Sequence, residues 1–200
     1  MNINETAKRL GGICPAGGGE FRPLAEVELR SIEDEIQSSI PAAYSSLLKQ
    51  YGASTFKGRS ENNPYVYFRS KALLPRHISA NGLALFDFFY GSTQQTGPSG
   101  LRQQINFFRG RIPETMIPIA GNGGTGQICL GIKGNDLGKV FYWDMANEPL
   151  DEETYLEDYG EPMPDDAKRQ NVYLIADSYN EFLDQLVFGD EETGINPNNC

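Results

Sequence analysis

The sequence predicts an α+β fold on three observations. Two short amphipathic helical patterns lie near the start, three glycine-separated apolar segments lie in the second half, and a capped helical pattern closes the chain. With 200 residues the chain is long enough for one domain with a sizeable core. Hydrophobic residues make up 39% and charged residues 22%, the balance of a folded globular protein. No stretch reaches the roughly 18–20 apolar residues that a bilayer-spanning helix needs.

Residues 1–23 are rich in Gly, Asn and Pro (GGICPAGGGEFRP) and read as a loose arm. From Leu24, the residues Val27, Leu29, Ile32 and Ile36 recur at helical spacing with charges between them. Ile40-Pro41 breaks that helix. Pro41 suits the first turn of a second one, where its missing N–H costs nothing. Tyr44, Leu47, Leu48 and Tyr51 form the apolar face of the second helix, and Gly52 is its left-handed stop.

PYVYFRS (64–70) is aromatic and β-branched, as half-buried strands are. LALFDFFYG (83–91) fits either a strand or a helix, QTGPSG (95–100) is a turn cluster, and 101–113 reads as a short helix with Leu101, Ile105 and Phe108 on one side. MIPIA, QICLGI and KVFYWD, joined by GNGGTG and KGNDLG, predict an antiparallel meander between Met116 and Asp144. The proline-punctuated segment 148–166 reads as an irregular loop. VYLIA (172–176) reads as a further strand, and the pair Ser178/Glu181 as the capping box of a last helix with Tyr179, Phe182, Leu183 and Leu186 inward. Beyond 188 the sequence reads as a frayed tail.

Charge is concentrated. Glu148, Asp151, Glu152, Glu153, Glu157, Asp158, Glu161, Asp165 and Asp166 are interrupted by no Lys or Arg, so this segment carries −9 of the net −10. Such a patch repels nucleic-acid backbones and attracts a basic protein. The segment is therefore either a solvated loop or a docking surface with Tyr155 and Tyr159 as aromatic anchors. It lacks the D-x-D-x-D-G spacing of a calcium loop. The three cysteines, Cys14, Cys129 and Cys200, have no C-x-x-C pairing, which argues against a zinc ribbon or disulfide scaffold and for a reducing cytoplasm. The N-terminus has no signal-peptide layout.

Gly121, Gly123, Gly124 and Gly126 form a G-x-G-x-x-G, the pattern of many phosphate-binding loops. A dinucleotide loop needs a helix after the glycines to hold the pyrophosphate, and here Ile128, Cys129, Leu130 and Ile132 follow, which is strand chemistry. A kinase loop does sit between strands, but a kinase needs two further aspartates well downstream, and only 74 residues follow Gly126. The glycines therefore read as a hairpin turn that demands positive φ angles. His77 is the only histidine, which excludes multi-histidine metal sites, and it reads as a surface or capping residue. Asp144, at a strand end, reads as an acceptor for turn N–H groups. No catalytic, cofactor-binding or metal-ligating residue is expected.

Four motifs in this order resemble the SUKH superfamily. They are Ile40, Pro41 and Tyr44 after a first helix; the "IPIA" strand, glycine turn and apolar strand from Ile117 to Leu130; Tyr142, Trp143 and Asp144 ending a strand; and Ser178, Tyr179, Glu181, Phe182 and Leu183 in the last helix. The resemblance covers residues 24–188 and sets off an arm at 1–23 and a tail at 189–200. The chain departs from the pattern at Met145, at Tyr51-Gly52-Ala53 and in the length of 148–166. The resemblance implies a single domain with one mixed, mainly antiparallel sheet and helices packed around it. It also implies a protein that works by binding. Many bacterial members resemble immunity proteins that neutralise a toxin domain, often a nuclease, and fungal relatives are regulators of cell-wall synthesis. The expected partner is a basic protein toxin, met in the cytoplasm, with no direct binding to nucleic acid or membrane. The alternative is a regulatory or scaffolding module.

Overall fold

The computed structural model describes residues 1–58, 65–79, 82–91, 99–124, 126–148 and 152–189, with only the backbone of Glu152. In chain order the elements are α1 (Ile3–Arg9), β1 (Ile13–Pro15), α2 (Glu26–Ile36), α3 (Ala42–Gln50), β2 (Ser54–Phe56), β3 (Val66–Arg69), β4 (Leu83–Phe86), α4 (Leu101–Phe107), β5 (Met116–Gly121), β6 (Gly126–Gly131), β7 (Val140–Asp144), α5 (Glu152–Tyr159), α6 (Asp165–Lys168), β8 (Val172–Ala176), α7 (Tyr179–Gln185) and β9 (Leu186–Phe188). This is the expected single-domain α+β fold, but its strands pair antiparallel in more than one sheet, where the resemblance implies a single mixed one.

The meander at 116–144 forms as the sequence predicts, with β5, β6, β7 and β8 in that spatial order, each antiparallel to the next. Phe89 bridges Ser54 on one side and Ala120 on the other, so β1 and β2 extend the same sheet beyond β5. LALFDFFYG resolves as a strand: β4 pairs with β3, which also takes β9, in a second sheet ordered β4-β3-β9.

Every residue of β5, β6 and β7 is buried, because both faces of this sheet are covered. That is why the segments read as continuous apolar runs rather than as alternating ones. One face meets the main core, where Tyr44, Leu47 and Leu48 of α3 join Phe68, Phe86, Phe89, Ile119, Ile128, Tyr142 and Phe182. The other face carries a smaller cluster of Phe108, Ile112, Met116, Cys129, Phe141 and Trp143. Each such large apolar side chain contributes about 1.5–3 kcal/mol when fully buried. Burial pushes the Cys129 thiol far above its ordinary range, so it is an inert core residue.

The α2–α3 pair forms where spacing places it, with Pro41 as the residue before the first turn of α3 and Gly52 left-handed at φ +68° after its end. Val27 is the exception on α2. It is 74% exposed, and Leu29, Ile32 and the half-buried Ile36 carry the packing.

Two expectations are corrected. Residues 1–23 contain a helix and a strand. Asn2 caps α1 by accepting from the amides of Asn4 and Glu5, and Glu5 accepts from the amide of Asn2 in return. Ile3, Ala7 and Leu10 enter the core, and Arg9 donates to the Leu183 carbonyl at 2.7 Å and to that of Leu186. The Asn2/Glu5 capping signal is real, and the glycines that follow it mask it. The second correction is at 148–166, which contains α5 and α6 rather than an irregular loop. The tail from 190 onward and the 95–98 part of the turn cluster lie outside the described residues.

Candidate protein-binding face

The acidic segment is a loop closed at its base. The Asp144 amide donates to the Asn171 carbonyl at 3.0 Å, and Asn171 Nδ2 donates to the Asp144 carbonyl at 2.7 Å. Everything from 145 to 170 leaves and re-enters the sheet through this pair. The Asp144 side chain, with no exposed surface, organises the departure. Its Oδ1 accepts from the Ala146 amide at 3.2 Å, the turn contact expected of it, and its Oδ2 accepts from Asn147 Nδ2 at 2.6 Å. His77 Nε2 lies 2.7 Å from the same Oδ2. His77 is thus half-exposed and paired with a buried carboxylate, an association across 67 residues that no local pattern signals.

Glu148 comes next, and it is engaged inside the molecule. Arg111 grips it bidentately, with Nη2–Oε2 at 2.6 Å and Nε–Oε1 at 3.0 Å, and the carboxylate is 13% exposed. The guanidinium lies over the rings of Phe107, Phe108 and Trp143 at 5.7, 5.3 and 5.5 Å, so the second core cluster holds the root of the loop. Of the expected docking residues, Glu148 is thus already paired inside the fold.

From Glu153 to Tyr159, α5 has no buried residue. Glu153, Glu157, Asp158 and, just beyond the helix, Glu161 face solvent; Asp151 and the Glu152 side chain lie outside the described residues. Tyr155 and Tyr159 stack on each other with ring centroids 4.4 Å apart, one helical turn apart in sequence. Leu156 is 49% exposed and Tyr159 63%, so apolar surface stands among the acids. Met163 then buries itself and re-anchors the chain. Asp165 and Asp166 open α6 at the surface, with Asp165 3.9 Å from Arg169. Arg169 also donates to Asp136 at 2.6 Å, and Thr115 donates to the same oxygen at 2.5 Å. Burial pushes the Asp136 carboxyl up, but these hydrogen bonds and the charges of Arg169 and Lys139 outweigh it and hold the group below the usual carboxylate range.

The glycine loop lies elsewhere, and two of its described amides are already engaged. Asn122 Oδ1 accepts from the amides of Gly124 at 3.0 Å and Gly126 at 3.1 Å, so these two N–H groups are taken by the loop's own side chain. Asn122 Nδ2 donates to Tyr142 Oη at 2.7 Å. The reason for the glycines also differs from the expected one. Among those described here only Gly123 has positive φ, at +71°. Gly126 is required by close approach, since a Cβ there would meet Tyr142 Oη at 1.7 Å.

A cleft of about 210 Å³ opens between the end of α2 and the segment that joins α4 to β5. Ile36, Ile105, Ile112, Met116 and Ile132 line it, and the Glu35 carboxylate at its mouth is held by Arg109 at 2.7 Å. Among the described residues no three His, Cys, Asp or Glu side chains converge as metal ligands, and no helix is long and apolar enough to cross a membrane.

Comparison with known families adds to this geometry. The model of the SMI1/KNR4 family (SUKH-1) matches residues 23–185. The chain belongs to that family. The match spans the helix pair, β2 to β8, α7 and the acidic loop, and leaves out α1, β1 and β9. A relative of this SUKH-1 chain is the SPbeta prophage-derived uncharacterized protein YokK of Bacillus subtilis (strain 168), 26% identical over 163 residues, which cover 80% of this chain and 73% of the relative. The four motifs of the sequence, from Ile40-Pro41-Tyr44 to the capped α7, all lie within the matched residues. Ile40 and Tyr44 are core residues, Pro41 starts α3, and Trp143 is fully buried.

Proposed function

We propose that this SUKH-1 protein is an immunity protein that binds a basic toxin domain, a nuclease by preference, through the face presented by α5. The observation that carries the reading is a solvent-facing acidic helix, in a segment anchored at Glu148 before it and at Met163 after it, part of whose charge works against its own stability. Glu153 and Glu157 are one turn apart with like charge, a pairing that costs about 0.2–0.5 kcal/mol. Glu157 and Asp158 sit in the last turn, where the helix dipole disfavours acids and where this helix has no base. A basic surface would relieve both penalties. Leu156 and Tyr159 supply apolar contact within the same patch.

Nuclease sites are basic because they hold phosphates, so an acidic helix competes for the same field. Family membership supports a protein-binding role, and the prophage origin of a relative fits a protective protein carried on mobile DNA. The thiols of Cys14 and Cys129 are free, in keeping with a cytoplasmic site of action.

The test is co-expression with the toxin domain encoded beside this gene, scored by survival and by complex formation. Protection with a stable complex is expected. Reversing Glu152, Glu153, Glu157 and Asp158 to Lys should slow association at least about tenfold at low salt. An unchanged rate and salt dependence would remove α5 from the interface. Failure to bind or protect against any adjacent toxin would favour the regulatory, scaffolding reading instead.

A further inference from the structure

The loop that resembles a phosphate cradle contains Asn122-Gly123, the pairing of a carboxamide with an unhindered following amide. We propose that Asn122 is a site of spontaneous deamidation and that the fold restrains the reaction through Tyr142. The chemistry needs only water. The Gly123 backbone nitrogen loses its proton and attacks Asn122 Cγ, forming an N–C bond. The Cγ–Nδ2 bond breaks and ammonia leaves with the protons it needs from solvent. The cyclic imide then takes up water at either carbonyl, giving Asp or isoaspartate at 122.

The environment fits a labile site held in check. Gly123 is exposed, carries no Cβ and is already bent to φ +71°, so sterics do not protect its nitrogen. Restraint falls to the carboxamide, which is held at both ends. Oδ1 accepts from the Gly124 and Gly126 amides, and Nδ2 donates to Tyr142 Oη at 2.7 Å. Tyr142 itself cannot drift, since its side chain is 1% exposed in the main core and lies directly over Gly126. To bring Cγ onto the Gly123 nitrogen, the carboxamide must rotate out of these contacts. Isoaspartate would add a methylene to the backbone beside the Gly121–Gln127 pair and misalign the β5–β6 hairpin.

Purified protein is incubated in mildly alkaline buffer, natively and in urea, and the mass gain of amide-to-acid conversion is followed by peptide mapping. Mapping is essential because Asn81-Gly82 is a second such pair in the sequence. Conversion at 122 should be at least about tenfold slower natively than in urea, the ratio expected when several hydrogen bonds must open first. Tyr142→Phe removes only the hydroxyl and should raise the native rate about threefold to tenfold, one hydrogen bond's net contribution, while leaving the urea rate unchanged. Asn122→Gln should abolish the product. Equal native and urea rates for the wild type, or no product at 122 in urea, would overturn the proposal. So would a Tyr142→Phe protein that remains folded by circular dichroism and reacts at the wild-type rate.

Discussion

His77 and Asp144 meet at 2.7 Å although 67 residues separate them, and their exposures differ sharply: 48% for the imidazole, none for the carboxylate. The burial of Asp144 sets the energetics. Its carboxylate also satisfies Ala146 and Asn147, so the pair holds the turn from which the acidic loop departs. Asp144→Ala should cost about 3 kcal/mol, because it orphans several donors in a buried site. His77→Ala should cost less, about 1 kcal/mol, because half of that ring is in water. Urea unfolding of the two variants checks the order, and an equal or inverted order would contradict this account.

Gly126 faces a different constraint, that of space. A Cβ there would lie 1.7 Å from Tyr142 Oη and 2.0 Å from Cζ, so both the hydroxyl and the ring are in the way. Gly126→Ala should therefore destabilise by about 2 kcal/mol. Tyr142→Phe should not rescue it, since Cζ remains. Tyr142→Leu, costly alone, should show a favourable coupling of about 1 kcal/mol or more with Gly126→Ala in a double-mutant cycle. Strict additivity would show that the clash relaxes by another route.

Legibility followed the range of the physical signal. Leu29, Ile32, Leu47 and Leu48 announce their helices because 3–4 spacing is local, and Ile117, Ile128 and Phe141 announce strands because a sheet buried on both faces needs unbroken apolar runs. Val27 fits the same spacing and is exposed, because periodicity does not say where the neighbouring surface ends. The α5 helix was hidden by flanking prolines and by charges that oppose helix formation, which is where its proposed binding role would reside. Arg111, His77 and Asn171, which fix the acidic loop, carry no sequence signal, because their partners Glu148 and Asp144 lie far along the chain. The glycines of 121–126 read as a turn, but the demand for space at Gly126 comes from Tyr142, a strand away.

Asp136 makes the acid limb of stability testable. Its folded carboxyl is held below the usual range by Thr115 and Arg169, despite burial. A group depressed in the folded state contributes stability above its unfolded value, about pH 3.9, and loses it as pH falls through the lower folded value. Wild-type stability should thus fall between about pH 4 and the folded value of Asp136, and Asp136→Asn should flatten that part of the profile while being less stable at neutral pH. Urea midpoints across the acid range provide the measurement. A variant with the wild-type slope would assign the acid sensitivity to other carboxylates.

Arg111 is expected to act on the acidic helix without touching a partner. It joins the Glu148 carboxylate at the loop's root to the rings of Phe107, Phe108 and Trp143. Arg111→Ala should lower global stability by about 1–2 kcal/mol, through the lost charge-assisted bonds and ring contacts. Arg111→Lys should restore little of this, since an ammonium can neither fork onto Glu148 nor stack flat on the rings. The distinguishing readout is local. If Arg111 pins the root of the loop, amide exchange in α5 should accelerate in both variants by more than it does in β6 or β7, because the loop opens without unfolding the sheet. If exchange rises in proportion everywhere, Arg111 stabilises the domain as a whole and does not position the helix.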